Sequence, residues 1–294
     1  MGVSAAGLSL QEVAIPAAVG PIAALRGGTP GGLPVIALHG WLDNAASFVP
    51  LAAHLPAEWD FIAIDLPGHG RSPHLGAGAE YTLGTALNAI LDVADAQGWT
   101  RFHLLGHSMG AGIASLLAAA CPQRVRALVA IEALGALGEA VENTAERLRD
   151  GLAATRELPN RRLRHFADLA APVRARMQAN ALSQANARLL VERGVRALDD
   201  GYVWSTDQRL TLPTLVRQTQ DQAEALLAAI ECPVQVIFAE PAQPYFPHEM
   251  RQRRVARLCD GRLALLPGTH HLHMEDPQPV ARIVREFLAP FAVA

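Results

Sequence analysis

A serine between two glycines, in the segment Gly106–Gly110, is the residue of this chain best placed for nucleophilic chemistry. The apolar run Phe102–Leu105 precedes the segment and small, helix-forming residues follow it, which predicts a strand, a sharp turn and a helix. Glycine leaves room for a turn that a side chain would obstruct. This pattern is typical of a nucleophile elbow, in which Ser108 attacks and the free N–H of Met109 at the helix N-terminus stabilises an oxyanion. The alternative interpretation is a glycine-rich turn between strand and helix in which the serine has no catalytic role.

A serine is a weak nucleophile at neutral pH and needs an adjacent base. Three histidines, His270, His271 and His273, follow the apolar run Leu263–Leu266, at the place in the chain where such a base is expected. His270, the nearest to the glycine turn, is the predicted base, and the other two are predicted to pack beside it. No carboxylate lies at a metal-ligand spacing from these histidines in the sequence, so a metal site is the less favoured alternative.

A carboxylate at the end of a strand should orient the histidine. Glu132 follows the apolar run Ala127–Ile131, and Glu240 follows the run Val234–Phe238. Glu132 is favoured as the acid because its strand is expected beside the strand that carries the elbow. Glu240 is the alternative acid, and either residue could instead be a solvated strand end.

Two other turns have different predicted roles. The N–H of Trp41, which follows His39 and Gly40, is predicted to be the second donor of the oxyanion hole, whether or not its indole packs in the core. Asp65 and Arg71 flank a turn rich in proline and glycine and are predicted to pair and hold it.

The elements that must position these residues alternate along the chain. After an N-terminal hairpin, six apolar runs bounded by turn signals are typical of strands buried on both faces, and helical stretches lie between most of them. This alternation predicts an α/β fold with a mostly parallel sheet flanked by helices. The interval 135–230 contains no good buried strand and is predicted to be a helical cap, which divides the core into residues 1–134 and 231–294.

Composition excludes several classes of protein. All 25 basic residues are arginine, and the absence of lysine excludes Schiff-base chemistry on a lysine. The formal net charge of −3 argues against nucleic acid or an anionic membrane surface as the main partner. No apolar run is long enough to span a membrane and no secretory signal is recognised, so a soluble cytoplasmic protein is expected.

Four blocks of the chain resemble blocks of the α/β-hydrolase superfamily in the same order: His39–Asn44, Asp65–Gly70, Gly106–Gly110 and His270–Pro277. The residues after the elbow and the segment Trp204–Leu210 make the chain most similar to the serine-hydrolase-like subfamily. The resemblance implies the α/β-hydrolase fold, with Ser108 as nucleophile, His270 as base, and Trp41 and Met109 as the oxyanion hole.

The chain departs from the superfamily pattern at the acid. Members commonly carry a Gly-x-x-Asp after the strand that precedes the last one, and the segment Ala239–Ala242 lacks that aspartate. Some relatives, including certain haloalkane dehalogenases, place the acid after the preceding strand, which supports Glu132. A serine at position 108 argues against dehalogenase and epoxide-hydrolase chemistry, since those enzymes use an aspartate nucleophile.

The predicted function is cleavage of a carboxylic ester or related acyl bond of a small, largely apolar substrate through an acyl-serine intermediate. This chemistry requires neither a cofactor nor a metal. The alternatives are a C–C bond hydrolase or perhydrolase on the same triad, and a ligand-binding signalling protein with vestigial catalysis. The expected partner is a small ester, and a homodimer contact through the insertion is left open.

Overall fold

The computed structural model describes residues 7–292 and contains two β-sheets in that range. The strands of this range are, in chain order, β1 Gln11–Ile15, β2 Ile22–Gly28, β3 Leu33–Leu38, β4 Trp59–Ile64, β5 Phe102–His107, β6 Val125–Ile131, β7 His165–Phe166, β8 Val195–Leu198, β9 Gly201–Trp204, β10 Val234–Glu240 and β11 Gly261–Pro267.

The α-helices of the same range are α1 Val49–Ala52, α2 Leu83–Ala96, α3 Met109–Ala120, α4 Thr144–Glu157, α5 Ala170–Asn180, α6 Gln184–Gly194, α7 Gln220–Ala228, α8 His248–Val255, α9 Leu272–Glu275 and α10 Pro277–Leu288. Side chains cap several of these helices, and Thr82, for example, accepts a hydrogen bond from the N–H of Thr85 at the start of α2. Within residues 7–292, none of the helices has the length and apolar character that a membrane span requires.

The larger sheet has eight strands in the order β1-β2-β4-β3-β5-β6-β10-β11. The first two strands form the predicted hairpin, and β2 runs antiparallel to β4, whereas all the other neighbouring strands are parallel. Each of the six predicted apolar runs lies in one of the parallel strands. The predicted mostly parallel sheet is therefore confirmed, and the carboxyl ends of β5, β6 and β10 lie side by side.

Helices cover both faces of this sheet, which explains why its strands are continuously apolar. In β3, Val35 and Ala37 pack on one face with α1 and α10, whereas Ile36 and Leu38 pack on the other face with α2 and α3. Helix α10 buries an apolar stripe at helical spacing, and α3 is buried along most of its length. Both faces of each strand must then be hydrophobic to exclude water.

The insertion between β6 and β10 is not purely helical. It contains α4 to α7 and also a three-stranded antiparallel sheet in the order β7-β9-β8. The sequence analysis expected no good buried strand in this interval and did not foresee the small sheet, whose strands are two to four residues long and mostly exposed in β8. Such short strands show too little alternation for the sequence to reveal them.

A buried ion pair holds the insertion against the core. Arg193 of α6 donates to both oxygens of Asp65, over 2.9 and 3.0 Å, and both side chains are almost fully buried. The predicted pairing of Asp65 with the side chain of Arg71 was wrong. The guanidinium of Arg71 bonds to Glu12 over 2.6 Å, and only its main-chain N–H donates to Asp65. The true partner is 128 residues from Asp65, beyond the reach of a local pattern.

Candidate active site

The turn between β5 and α3 places Ser108 in an unusual backbone conformation. Its φ of 51° and ψ of −118° lie in a region that residues other than glycine seldom adopt. The Ser108 N–H donates to the carbonyl of Ile131 over 2.8 Å, and its own carbonyl accepts from the N–H of Gly112 over 3.1 Å. Such a conformation persists only when the surrounding structure enforces it, and it is common at catalytic sites.

The two glycines of the elbow are required by close packing. A Cβ on Gly106 would lie 2.4 Å from the Cα of Ala111, and a Cβ on Gly110 would lie 2.1 Å from the carbonyl oxygen of Leu38. Only glycine allows the start of α3 to lie this close to β5 and to the end of β3. This packing places the N-terminus of α3 beside the turn that carries Trp41.

The structure brings Glu132 and His270 together. Glu132 follows β6 with φ of 60°, and its buried carboxylate lies 3.0 Å from Nδ1 of His270. Its other oxygen accepts a hydrogen bond from the main-chain N–H of Ala239. The alternative acid, Glu240, has a side chain 42% exposed and lies 3.7 Å from both His248 and Arg251, away from His270.

The loop that carries His270 is fixed to the elbow. Nε2 of His107, the residue before Ser108, lies 2.8 Å from the main-chain carbonyl of His270, and the two rings are 4.9 Å apart. Because Nδ1 of His270 faces Glu132, Nε2 is the ring nitrogen left free of this contact. Within residues 7–292, no hydrogen bond joins the hydroxyl of Ser108 to the His270 ring. In substrate-free enzymes the hydrogen bond between nucleophile and base is often long, and it shortens only when substrate binds.

A tyrosine that the sequence analysis did not select also contacts the histidine. The hydroxyl of Tyr245 lies 3.1 Å from Nδ1 of His270, and burial, followed by the charge of Glu132, raises the pKa of Tyr245. Tyr245 lies in the segment after β10, close to where the superfamily aspartate was expected. No motif marks it, and the only signal available was a hydroxyl-bearing residue in this segment.

The two predicted oxyanion donors lie at the ends of adjacent elements. Met109 is the first residue of α3, so its N–H has no partner within the helix. The N–H of Trp41 has no hydrogen-bond partner in the described part of the chain, and its turn is closed by a bond from Asp43 N–H to Gly40 O of 3.1 Å. The indole of Trp41 is not in the core, since the residue is 55% exposed and Nε1 donates to Leu210 of the insertion.

A cluster of buried histidines lies behind the elbow. His107, His271 and His273 are almost fully buried, and burial, followed by the neighbouring histidines, lowers the pKa of His107 and His273 well below the ordinary value. The carboxylate of Asp43 lies in the same cluster, although no carboxylate stands at a ligand spacing from these histidines in the sequence. Its Oδ2 lies 3.1 Å from Nε2 of His271 and 4.0 Å from Nδ1 of His107.

Three residues of this cluster could hold a metal ion. The ligand atoms of Asp43, His107 and His271 all lie within 4.8 Å of one another. However, the carboxylate of Asp43 already has a cationic partner, because Arg176 of α5 pairs with its Oδ1 over 3.0 Å. A metal ion here would face a guanidinium beside its only anionic ligand, which is unfavourable.

Together, the doubly covered parallel sheet, the elbow and the acid–histidine pair define an α/β hydrolase. A family model described as "alpha/beta hydrolase fold" matches residues 34–227, and the chain belongs to this family. A serine hydrolase-like protein from Danio rerio is 30% identical over 283 residues, covering 92% of this chain and 86% of the relative.

Solved structures show the same architecture. The hypothetical protein PA1622 from Pseudomonas aeruginosa PAO1 is 40% identical, with a TM-score of 0.89 over 95% of this chain and 99% of that one. A thioesterase domain from the curacin biosynthetic pathway is 24% identical, with a TM-score of 0.81 over 94% of this chain and 99% of that one. The fold class predicted from the sequence, and the resemblance to serine-hydrolase-like proteins, are both confirmed.

Proposed function

We propose that the chain is a serine hydrolase that cleaves a carboxylic ester or a related acyl bond through an acyl-serine intermediate. The observation that carries the proposal is the buried Glu132 carboxylate, 3.0 Å from Nδ1 of His270, beside the strained turn at Ser108. A base oriented in this way, next to a half-buried serine at a helix N-terminus, is the arrangement that acyl transfer requires.

In the proposed reaction, Ser108 Oγ attacks the acyl carbonyl while Nε2 of His270 takes its proton. The carboxylate of Glu132 holds the proton on Nδ1 and stabilises the imidazolium that forms. The N–H groups of Trp41 and Met109 bind the oxyanion of the tetrahedral intermediate. His270 then protonates the leaving alcohol, and a water molecule, deprotonated by the same ring, releases the acid from the serine.

The insertion between residues 135 and 230 is proposed to cap the site and to select the acyl group. It contacts the turn beside Ser108 through the bond between the indole of Trp41 and the carbonyl of Leu210. Its high content of alanine and leucine favours an apolar inner face, and hence a medium acyl chain over acetate. Each buried methylene adds about 0.8 kcal/mol, or roughly fourfold in kcat/KM, until the pocket is full.

Labelling with a fluorophosphonate probe, together with hydrolysis of p-nitrophenyl esters of graded length, tests the proposal. The wild-type protein should be labelled and active, whereas Ser108→Ala should lose labelling and about four to six orders of magnitude in rate. Ser9→Ala, an exposed serine far from the site in sequence, is the matched control and should behave as wild type. A folded wild-type protein that is neither labelled nor active would instead favour the ligand-binding alternative.

A further inference from the structure

One arginine of the insertion reaches from its own helix into the core. Arg176 lies on α5, and its side chain is only 14% exposed. NH1 donates to Asp43 Oδ1 over 3.0 Å and to the side chain of Asn180 over 3.2 Å, and NH2 donates to the main-chain carbonyl of Leu42. A guanidinium can bridge two acceptors in this way because its donors form a planar fork, which a lysine does not have.

The turn that Arg176 contacts is strained at one residue. Leu42 has φ of 58°, a left-handed conformation that is unfavourable for a leucine. The carbonyl of Leu42 is one of the three acceptors of the guanidinium, so Arg176 helps to fix the orientation of this residue. Leu42 directly follows Trp41, whose N–H is the proposed oxyanion donor. A rotation of the Leu42 backbone would therefore move that donor.

Asp43 connects the same turn to the histidine loop. Its carboxylate, 3% exposed, contacts Arg176 through Oδ1 and Nε2 of His271 through Oδ2, over 3.1 Å. Burial alone would raise the pKa of Asp43, but the hydrogen bond from His271 and the charges of His271 and Arg176 outweigh it and lower that pKa. The carboxylate is therefore charged. His271 is the residue next to His270, so its position constrains the backbone of the proposed base.

We propose that Arg176 is a positioning residue, which acts through Asp43 on both the Trp41 turn and the His270 loop. This inference rests on the proposed function and adds a positioning residue to the same site. Without the guanidinium, Asp43 keeps one side-chain partner and Leu42 loses the bond that supports its conformation. The oxyanion donor and the base then both move from their productive places. The insertion thus completes the catalytic geometry, in addition to any selection of substrate.

Steady-state kinetics of Arg176→Met test the inference. We expect kcat to fall about tenfold to a hundredfold, because small misplacements of catalytic groups have effects of this size. KM should change by less than about threefold, since the lost interaction acts on the transition state rather than on substrate binding. Arg174→Met is the matched control, because Arg174 is an exposed arginine on the same helix, and it should retain kcat.

Chemical rescue separates positioning from a purely structural role. Ethylguanidinium should restore much of the kcat of Arg176→Ala, whereas ethylammonium should not, because it lacks the planar fork. Asp43→Asn combined with Arg176→Met should lose little more than the worse single variant, since both changes break the same chain of contacts. Arg176→Lys keeps a charge beside Asp43, so it should fold and lose only part of kcat.

Three results would each overturn the inference while leaving the proposed function intact: an unchanged kcat in Arg176→Met, fully additive losses in the double variant, or a loss that ethylguanidinium does not reverse. If neither Arg176→Met nor Arg176→Ala folds, an unchanged kcat in Arg176→Lys would overturn the inference instead. A wild-type protein that is neither labelled nor active overturns the proposed function and this inference together.

Discussion

Replacement of the proposed acid by its amide gives the sharpest test of the catalytic assignment. In the structure, one oxygen of Glu132 accepts from the N–H of Ala239, and the other lies 3.0 Å from Nδ1 of His270. In Glu132→Gln, the amide oxygen should remain at Ala239, because this buried N–H needs an acceptor. The amide NH₂ then faces His270 and donates to Nδ1.

This rearrangement should select the wrong tautomer of the histidine. If Nδ1 accepts a hydrogen bond, the proton of the neutral ring lies on Nε2, and His270 cannot take the proton of Ser108. The corresponding change of a triad aspartate to asparagine in another serine hydrolase lowers kcat about 10⁴-fold, and we expect a loss of this size here. A factor of this size corresponds to about 5.4 kcal/mol in the activation free energy.

Hydrolysis of a p-nitrophenyl ester and the rate of fluorophosphonate labelling would measure the loss, with a thermal unfolding curve to establish that the variant is folded. Glu240→Gln is the control, because that side chain is 42% exposed and does not contact His270. If Glu132→Gln keeps more than about a tenth of the wild-type kcat, or if Glu240→Gln loses as much, the tautomer argument is refuted.

Three other predictions follow from contacts in the structure. Tyr245→Phe should lower kcat about fivefold, because it removes the hydroxyl oxygen that accepts, together with Glu132, from Nδ1–H of the proposed base, a contact worth about 1 kcal/mol. The free energy of unfolding, from urea titrations, should fall as the pH drops from about 6.5 to 4. Burial lowers the pKa of His39 and His103 from 6.5 to about 4, so these histidines take up protons in the unfolded chain at a higher pH than in the folded protein. Each of them should lower the free energy of unfolding by up to about 1.4 kcal/mol per pH unit in this range. Arg193→Met should reduce the free energy of unfolding by about 3 to 5 kcal/mol, because it leaves Asp65 buried without its cation.

Each of these predictions has a control. Tyr202→Phe changes a tyrosine of the insertion and should leave kcat unaltered. Between pH 8 and 9 the two histidines are neutral in both the folded and the unfolded state and contribute almost no slope, so an equal slope there would contradict their assignment. Arg188→Met removes an exposed arginine that pairs with Glu192 on the same helix, and it should cost less than about 0.5 kcal/mol. An equal loss in both arginine variants would contradict the role given to burial.

The sequence predicted those parts of the fold and site that depend on local pattern. The apolar runs of the parallel strands are continuous because helices cover both of their faces, so the runs alone located the sheet. The glycines around Ser108 follow a short pattern in the sequence, although the packing that requires Gly110 is against Leu38 of β3, far away in the chain. Glu132 was favoured over Glu240 from strand order, and the structure places Glu132 against His270. The chemical roles of these residues remain predictions.

Contacts between distant segments could not be predicted in this way. Asp43 lies 228 residues from His271, and Arg193 lies 128 residues from Asp65, so no spacing rule relates either pair. Arg71 was an attractive partner for Asp65 only because it is near in the chain. Tyr245 was missed for a similar reason, since its contact with the histidine depends on the path of the loop after β10.

The unusual backbone angles at the site have a consequence for how the protein should lose activity. Leu42, Ser108 and Glu132 end or follow three neighbouring strands, and all have positive φ. Each such residue costs on the order of 1 to 3 kcal/mol, a sizeable share of a typical net stability of about 5 to 15 kcal/mol. The three turns would relax as soon as the packing around them loosens. Mild denaturant should therefore abolish turnover at concentrations where the sheet and its helices are still formed, so that inactivation precedes loss of secondary structure.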